Sequence, residues 1–486
     1  MAQGRQFPTS FVECWKDALL SRQAEQFQDF PSHHVHDSES LITTSSPQTL
    51  LVGTGYSIFT SGIIPAILNA KTSVHFVTCY WAASPSLDAI RHALTQLAVS
   101  RRSDGAARQT QLTVTIGFSS WGLLQKLFHT GSRDGHTYPP SQWAKLGLPD
   151  QKTLSAGGVQ LRVKSLFFTP FGVMHPKYVV IDEKRAFVPS CNVSWETWFE
   201  GCIELEGDVV QTLMAFHSRV WGAGSARTSL EPDTAAHVAS AGRDDSLAVD
   251  SAANSQTEFL SENGASATQS LRLTGNDVVP TILLPSSHHR NPRFSFFPFL
   301  SQANPPTTPL NAALLTLFAH ARRRIVILTP NITSWPVLNA LLEALGRGVD
   351  VQIRTNKGMM LLEQLVTAGT TTSLCLNKFV RKYQQLRGAK SQPSDVEAQR
   401  EPPGQLEILY YRPCPRRRGR EDEPVVSHFK MTMVDDEYLV LGSGNMDRAS
   451  WWTSQELGFL FYVAGMDWHK LWDGVLDERM ELLYRS

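Results

Sequence analysis

The stretch Met174–Asp182 reads M-H-P-K-Y-V-V-I-D and runs on to P-S-C-N ending at Asn192; Ser427–Asp435 reads S-H-F-K-M-T-M-V-D and runs on to G-S-G-N ending at Asn445. In both, Lys follows His by two positions, Asp follows Lys by five and Asn follows Asp by ten, with Ser two places before the Asn. The copies align without a gap over eighteen positions. Polar residue types repeated at fixed spacing inside apolar, strand-like sequence mark an internal duplication more firmly than a single motif would.

On a strand, positions i and i+2 share a face, so His175 sides with Lys177 and His428 with Lys430. One such histidine reads as a core residue; two, each in the same pair and at the same distance from a turn, read as a site. The turns Asp182-Glu183-Lys184 and Asp435-Asp436-Glu437 are each followed by an apolar strand, Ala186 to Val188 and Tyr438 to Leu441. Such hairpin-like units return Asn192 and Asn445 to the histidine end. A helix is expected to start just beyond, with Ser194 or Asp447 as N-cap and free N–H groups that favour an anion. Each copy thus offers an imidazole, an ammonium and an amide, with no metal-ligand set and no cofactor motif. Gly53 and Gly55 lack the rest of a nucleotide-binding loop. The composite is a donor-rich pocket for a phosphate.

Hydrophobic periodicity around the motifs predicts α/β alternation. Helices are expected over 11–27, 62–70 and 87–99, and strands over 74–79, 112–118 and 159–174. The order helix, strand, helix, strand returns over 309–321, 325–329, 337–345 and 349–354. Between the two series, residues 223–270 turn to Ala, Ser, Asp, Thr and Gly and read as a linker that cannot bury enough apolar area to order itself. The expected organisation is an N-terminal extension (1–48), a first half (49–222), the linker (223–270) and a second half (271–486). Polar inserts are expected over 388–405 and 413–424. The arginines of the latter, Arg416, Arg417, Arg418 and Arg420, precede three acids and read as a solvated loop, as does the cluster His33, His34 and His36.

Composition bounds the partners. At 486 residues, 42% hydrophobic and 19% charged, the chain has ample material for a core. Lys plus Arg equals Asp plus Glu at 45 each, which leaves no global field to gather nucleic acid or anionic membrane. No stretch is long and apolar enough to cross a bilayer, and the N-terminus lacks a signal-peptide core. The six cysteines show neither metal spacing nor a paired framework. A cytoplasmic protein, peripheral at membranes where it meets lipid, is the resulting expectation.

The two motifs resemble the signature of the phospholipase D superfamily, H-x-K-x(4)-D-x(6)-G-S-x-N carried twice. The second copy matches through His428, Lys430, Asp435, Gly442, Ser443 and Asn445; the first matches except that Pro189 replaces Gly, which is expected to tilt its turn. The resemblance implies two pseudo-symmetric α/β/α halves, each a mixed sheet flanked by helices, with both histidines meeting across one phosphate. A monomer then suffices. It implies a two-step displacement in which His175 attacks phosphorus and His428 serves as general acid and base. Lys177, Lys430, Asn192 and Asn445 would neutralise and position the phosphoryl oxygens, with Ser190 and Ser443 beside the substrate. A nucleophilic imidazole needs an acceptor on its second nitrogen, and Glu204 and Glu456, each about a dozen residues past the Asn on an apolar strand, are the candidates. Asp182 and Asp435 belong to the signature but sit at the far end of the strand and read as scaffold. Trp198 and Trp451, six residues past each Asn, are candidates for the substrate mouth, and Phe294 to Leu300 is a candidate lipid-facing segment.

The activity expected is that of a metal-independent phosphodiesterase or phosphatidyltransferase acting on a phospholipid, with the cardiolipin-synthase branch as a close variant. A nuclease on the same scaffold is the alternative, disfavoured by the balanced charge and the lack of a basic stripe with interleaved aromatics. A silent phosphoester-binding scaffold is the third class.

Overall fold

The apolar runs around each motif form strands that repeat one another pairing for pairing. In the computed structural model the residues described are 6–21, 37–103, 110–120, 122, 135–168, 172–222, 259–260, 269–272, 278–286, 304–390, 402–466 and 476–486. The first series comprises β1 (Ile42–Gly53), β2 (Ser73–Tyr80), β3 (Leu112–Ser120), β4 (Val159–Ser165), β5 (Tyr178–Ile181), β6 (Arg185–Pro189) and β7 (Glu200–Glu206). The second comprises β8 (Val279–Ser286), β9 (Arg324–Leu328), β10 (Asp350–Thr355), β11 (Leu406–Tyr411), β12 (Met431–Val434), β13 (Tyr438–Gly442), β14 (Glu456–Tyr462) and β15 (Met480–Arg485).

Paired strands run β1-β7-β6-β5-β2-β3-β4 in the first series. In the second they run β8-β14-β13-β12-β9-β10-β11, with β15 added at the edge. In both, the three strands beyond the motif hairpin are parallel and the others antiparallel. The architecture is therefore mixed α/β. β1 joins the two series. Its start, Ile42–Ser45, pairs with Val279–Ile282 of β8, and the remainder pairs with β7. Residues 42–48, assigned by composition to the extension, thus begin a central strand whose T-T-S-S-P-Q-T sequence hides it.

Helices cover the faces: α1 (Thr9–Leu20), α2 (Pro85–Ser103), α3 (Asp208–Trp221), α4 (Pro309–His320), α5 (Trp335–Gly346), α6 (Leu361–Ala368), α7 (Thr372–Lys390) and the short α8 (Arg448–Trp452). α1 buries Phe11, Trp15 and Leu19, one stripe at four-residue spacing, against α4, and the Trp15 indole donates to the Pro309 carbonyl at 3.1 Å. Strand alternation sorts the core. Val179 and Ile181 of β5 join one apolar cluster with α2, whereas Tyr178 and Val180 join a larger one that continues through β8, β9 and β14. One core therefore spans both series. α3 is drawn tightly onto it at Gly117, where a Cβ would stand 2.8 Å from the Trp221 ring.

Other differences from the sequence reading are local. The 159–174 run breaks after Ser165 into a small pairing of 167–168 with 172–173. The first-half helix begins near Gly55 rather than Gly62. Within the expected linker, Phe259–Leu260 and Gln269–Arg272 are strands, the latter paired with β1, while 223–258 lies outside the described residues. His33, His34, His36 and the Phe294 to Leu300 segment also lie outside them. Arg417 pairs with Asp422 and Glu423, and buried Glu423 also takes Arg479 at 3.0 Å, while Arg416, Arg418 and Arg420 are exposed.

The motif aspartates tie strands together. Asp182 accepts from the backbone N–H groups of Lys71, Thr72 and Ser73 at 2.7–3.0 Å, and Asp435 from those of Arg322, Arg323 and Arg324 at 2.7–3.0 Å. Each clamps the entry of the neighbouring parallel strand, seven residues and roughly 20 Å of extended chain from its histidine. Asp435→Ala, which leaves three donors without their acceptor, is expected to cost about 2–4 kcal/mol in chemical denaturation. Turnover per folded molecule should stay near that of the parent.

Candidate active site

The leading end of each motif crosses to the other half. Met174 bridges to Gln455 and Ser427 to Phe199, with the His175 N–H donating to the Gln455 carbonyl at 3.0 Å and the His428 N–H to the Phe199 carbonyl at 2.8 Å. Each histidine is thereby laid beside the residue that opens the opposite strand β14 or β7. His175 Nδ1 meets Glu456 Oε2 at 2.8 Å, and His428 Nδ1 meets Glu200 Oε1 at 2.8 Å. The carboxylates are held in turn by the motif serines: Ser443 Oγ donates to Glu456 at 2.5 Å, and Ser190 Oγ donates to Glu200. Each serine also accepts the following backbone N–H, of Leu457 or Gly201, at 3.0 Å. Ser190 and Ser443 thus brace the carboxylates, a different contact from the substrate contact expected of them.

The structure replaces Glu204 by Glu200 as the partner of a histidine. Glu204 lies on β7 beside Arg185, with which it forms an ion pair. The pairing register explains the difference. Gly442 pairs with Gly458 and Pro189 with Cys202, so the residues two places earlier, Glu456 and Glu200, are equivalent. The second half inserts α8 between Asn445 and β14; residues 193–199 contain no helix, and Ser194 caps none. Counting from the Asn therefore overshoots in the first half. The signal that finds Glu200 is the strand start, E-G-C-I against E-L-G-F.

Both lysines are buried, and each spends one of its three N–H donors on its own histidine's carbonyl, Lys177 at 2.8 Å and Lys430 at 2.6 Å. The imidazole rings lie 6.5 Å apart at 88°. Trp198 stands 5.0 Å from the His428 ring, whereas Trp451 is buried on α8 and lines no mouth. Asn192 Oδ1 accepts from the Tyr80 N–H at 3.3 Å; Asn445 donates to Asp447 at 3.0 Å, and Asp447 caps α8 as expected. Pro189 leaves the Ser–Glu–His arrangement intact. The glycine is demanded only in the second half, where Gly442 has φ 152° and a Cβ would meet the Leu457 carbonyl oxygen at 2.2 Å.

Burial governs the electrostatics. It pushes His428 down to about 3 against the pull of Glu200, and it lowers His175 against the pull of Glu456. Desolvation works against Glu200 and Glu456 as well, but the facing histidines and their hydrogen bonds hold both carboxyls below the usual range. Ionised carboxylates only accept, so Nδ1 of each imidazole is the donor and the Nε2 lone pair is free. Desolvation also brings Lys430 down to about 7, where an arriving anion would restore its full charge. The arrangement can hold one tetrahedral oxyanion between two neutral bases.

Residues 314–467 match the family described as cardiolipin synthase, PLD-like domain. Among solved structures, the chain is similar to a phosphatidylserine synthase from Haemophilus influenzae Rd KW20 at 15% identity, over 91% of this chain and 89% of that one, with a TM-score of 0.53. Nuc, a phospholipase D family member from Salmonella typhimurium, aligns at 15% identity over 42% of this chain and 98% of its own with a TM-score of 0.26. A polyphosphate kinase from Porphyromonas gingivalis aligns at 8% identity over 87% and 46%, with a TM-score of 0.42. No curated protein matches in sequence.

Proposed function

We propose that this chain, of the phospholipase D superfamily by its fold and by the match of residues 314–467, is a phosphodiesterase or phosphatidyltransferase acting on phospholipids through both histidines at once. The observation that carries the reading is the crossed pair of imidazoles, 6.5 Å apart, each with Nδ1 on the other half's carboxylate. Ring centres at this separation leave room for one phosphorus at a near-attack distance of about 3–3.5 Å from His175, with its leaving oxygen turned toward His428. His428 takes up a proton on Nε2 as the anionic phosphodiester settles between the histidines. As His175 Nε2 attacks phosphorus, His428 passes that proton to the departing alkoxide, leaving a phosphorus–nitrogen bond. Water or an acceptor alcohol then gives its proton to His428, attacks phosphorus and releases His175. The remaining N–H donors of Lys177 and Lys430 take the phosphoryl oxygens, supplying positive charge without a metal. The two halves act as one site, so a monomer is competent.

A lipid is favoured over a nucleic acid by what surrounds this pocket. Trp195 and Val425, three residues past Asn192 and three before His428, are 58% and 53% exposed, apolar side chains in the open close to the site. The test is incubation in chelator with a defined phospholipid and a primary alcohol, and in parallel with single- and double-stranded DNA. A phosphatidyl alcohol is the expected product. DNA cleavage without lipid turnover would sink the lipid assignment.

A further inference from the structure

α6 is turned inside out. Of its sequence L-L-E-Q-L-V-T-A, Leu361, Leu362, Leu365 and Val366 are 47, 77, 51 and 56% exposed, while Gln364 is buried. The orientation is held firmly. Gln364 Oε1 accepts from the Thr372 N–H at 2.6 Å and its hydroxyl at 3.0 Å, and Nε2 donates to the Met359 carbonyl at 2.5 Å. Rolling the leucines inward would break all three. A contiguous aliphatic face kept in the open by a buried polar anchor marks a contact surface, since burying each such side chain is worth about 1.5–3 kcal/mol.

Charge identifies the partner. The chain as a whole is balanced, yet from Lys357 to Lys390 it carries six cations against the single acid Glu363. Lys357, Lys378, Arg381 and Lys382 are exposed on the segments that flank α6, and α7 is fastened to it at Thr372. Aliphatic residues flanked by basic ones match the boundary between acyl chains and anionic headgroups. Position completes the match. Asn356, which leads into α6, brackets Ser427 next to His428, donating to its carbonyl at 2.7 Å and accepting its N–H at 2.9 Å. The segment leading into the surface is thus tied to the residue that precedes His428.

We propose that α6, with the basic face of α7, seats the protein on an anionic phospholipid bilayer. The full chain should co-float with phosphatidylcholine vesicles containing phosphatidylglycerol, poorly with phosphatidylcholine alone, and less as salt rises. Leu362→Gln with Leu365→Gln should weaken vesicle binding on the order of 10- to 100-fold, leaving turnover of a soluble, acyl-free phosphodiester unchanged. Lys378→Glu with Lys382→Glu should remove the preference for anionic vesicles. Vesicle binding without lipid turnover supports the surface while refuting the phospholipid-substrate reading. Unchanged binding by the leucine variant, or a wild-type dimer that this variant dissolves, overturns the proposal, the latter by making α6 a contact between copies.

Discussion

Replacing either His175 or His428 by alanine is expected to reduce phosphodiester turnover by at least about 10⁴-fold, because nucleophile and proton shuttle act as a unit and neither works alone. The two variants should nevertheless differ. With a substrate whose leaving group needs no proton, His428→Ala retains the nucleophile and lacks the base for the second step, so a phosphoryl adduct on His175 should accumulate and appear in the intact mass. His175→Ala should show none. The reverse pattern would exchange the roles, and ordinary activity in either variant would remove the paired mechanism.

Glu200→Gln is expected to lower kcat on the order of a thousandfold, although Glu200 is placed to touch no substrate. Its carboxylate sets the tautomer of His428 across the joint between halves, at 2.8 Å. A pH profile separates this positioning role from general damage. Glu200 raises the proton affinity of His428, so its loss should move the limb assigned to His428 to lower pH. The control is Glu204→Gln. Its ion pair with Arg185, 40% exposed, is worth at most about 1 kcal/mol, and the variant should turn over normally. Equal losses in both variants would return the role to Glu204.

The motif residues were legible because polar types at fixed spacing leave a signal that composition does not blur; the strand, turn and strand around each were legible because alternation is local. Glu200 was not, because its place depends on a helix present in only one half, and a spacing count cannot see an insertion in the other. Nor was the crossing. A duplicated sequence is equally consistent with each histidine using its own half's carboxylate, and only the bridges Met174 to Gln455 and Phe199 to Ser427 decide. β1 was hidden for a different reason. Its Ser, Thr and Pro residues carry weak strand propensity, and the strand is held by neighbours on both sides rather than by its own preference. α6 reads as an ordinary amphipathic helix until exposure shows which side faces out.

Under the proposed mechanism, the crossed histidine–carboxylate pairs also set the earliest point in synthesis at which the site can be complete. A nascent first half carries His175, Lys177 and Glu200, but the carboxylate for His175 and the histidine for Glu200 are still to be translated. The Glu200–His428 pair can form once His428 has left the ribosome, but the His175–Glu456 pair needs Glu456 and the closing of β14 onto β8, so only then are both in place. Under the proposed paired mechanism, a chain truncated before Glu456 is expected to be inert.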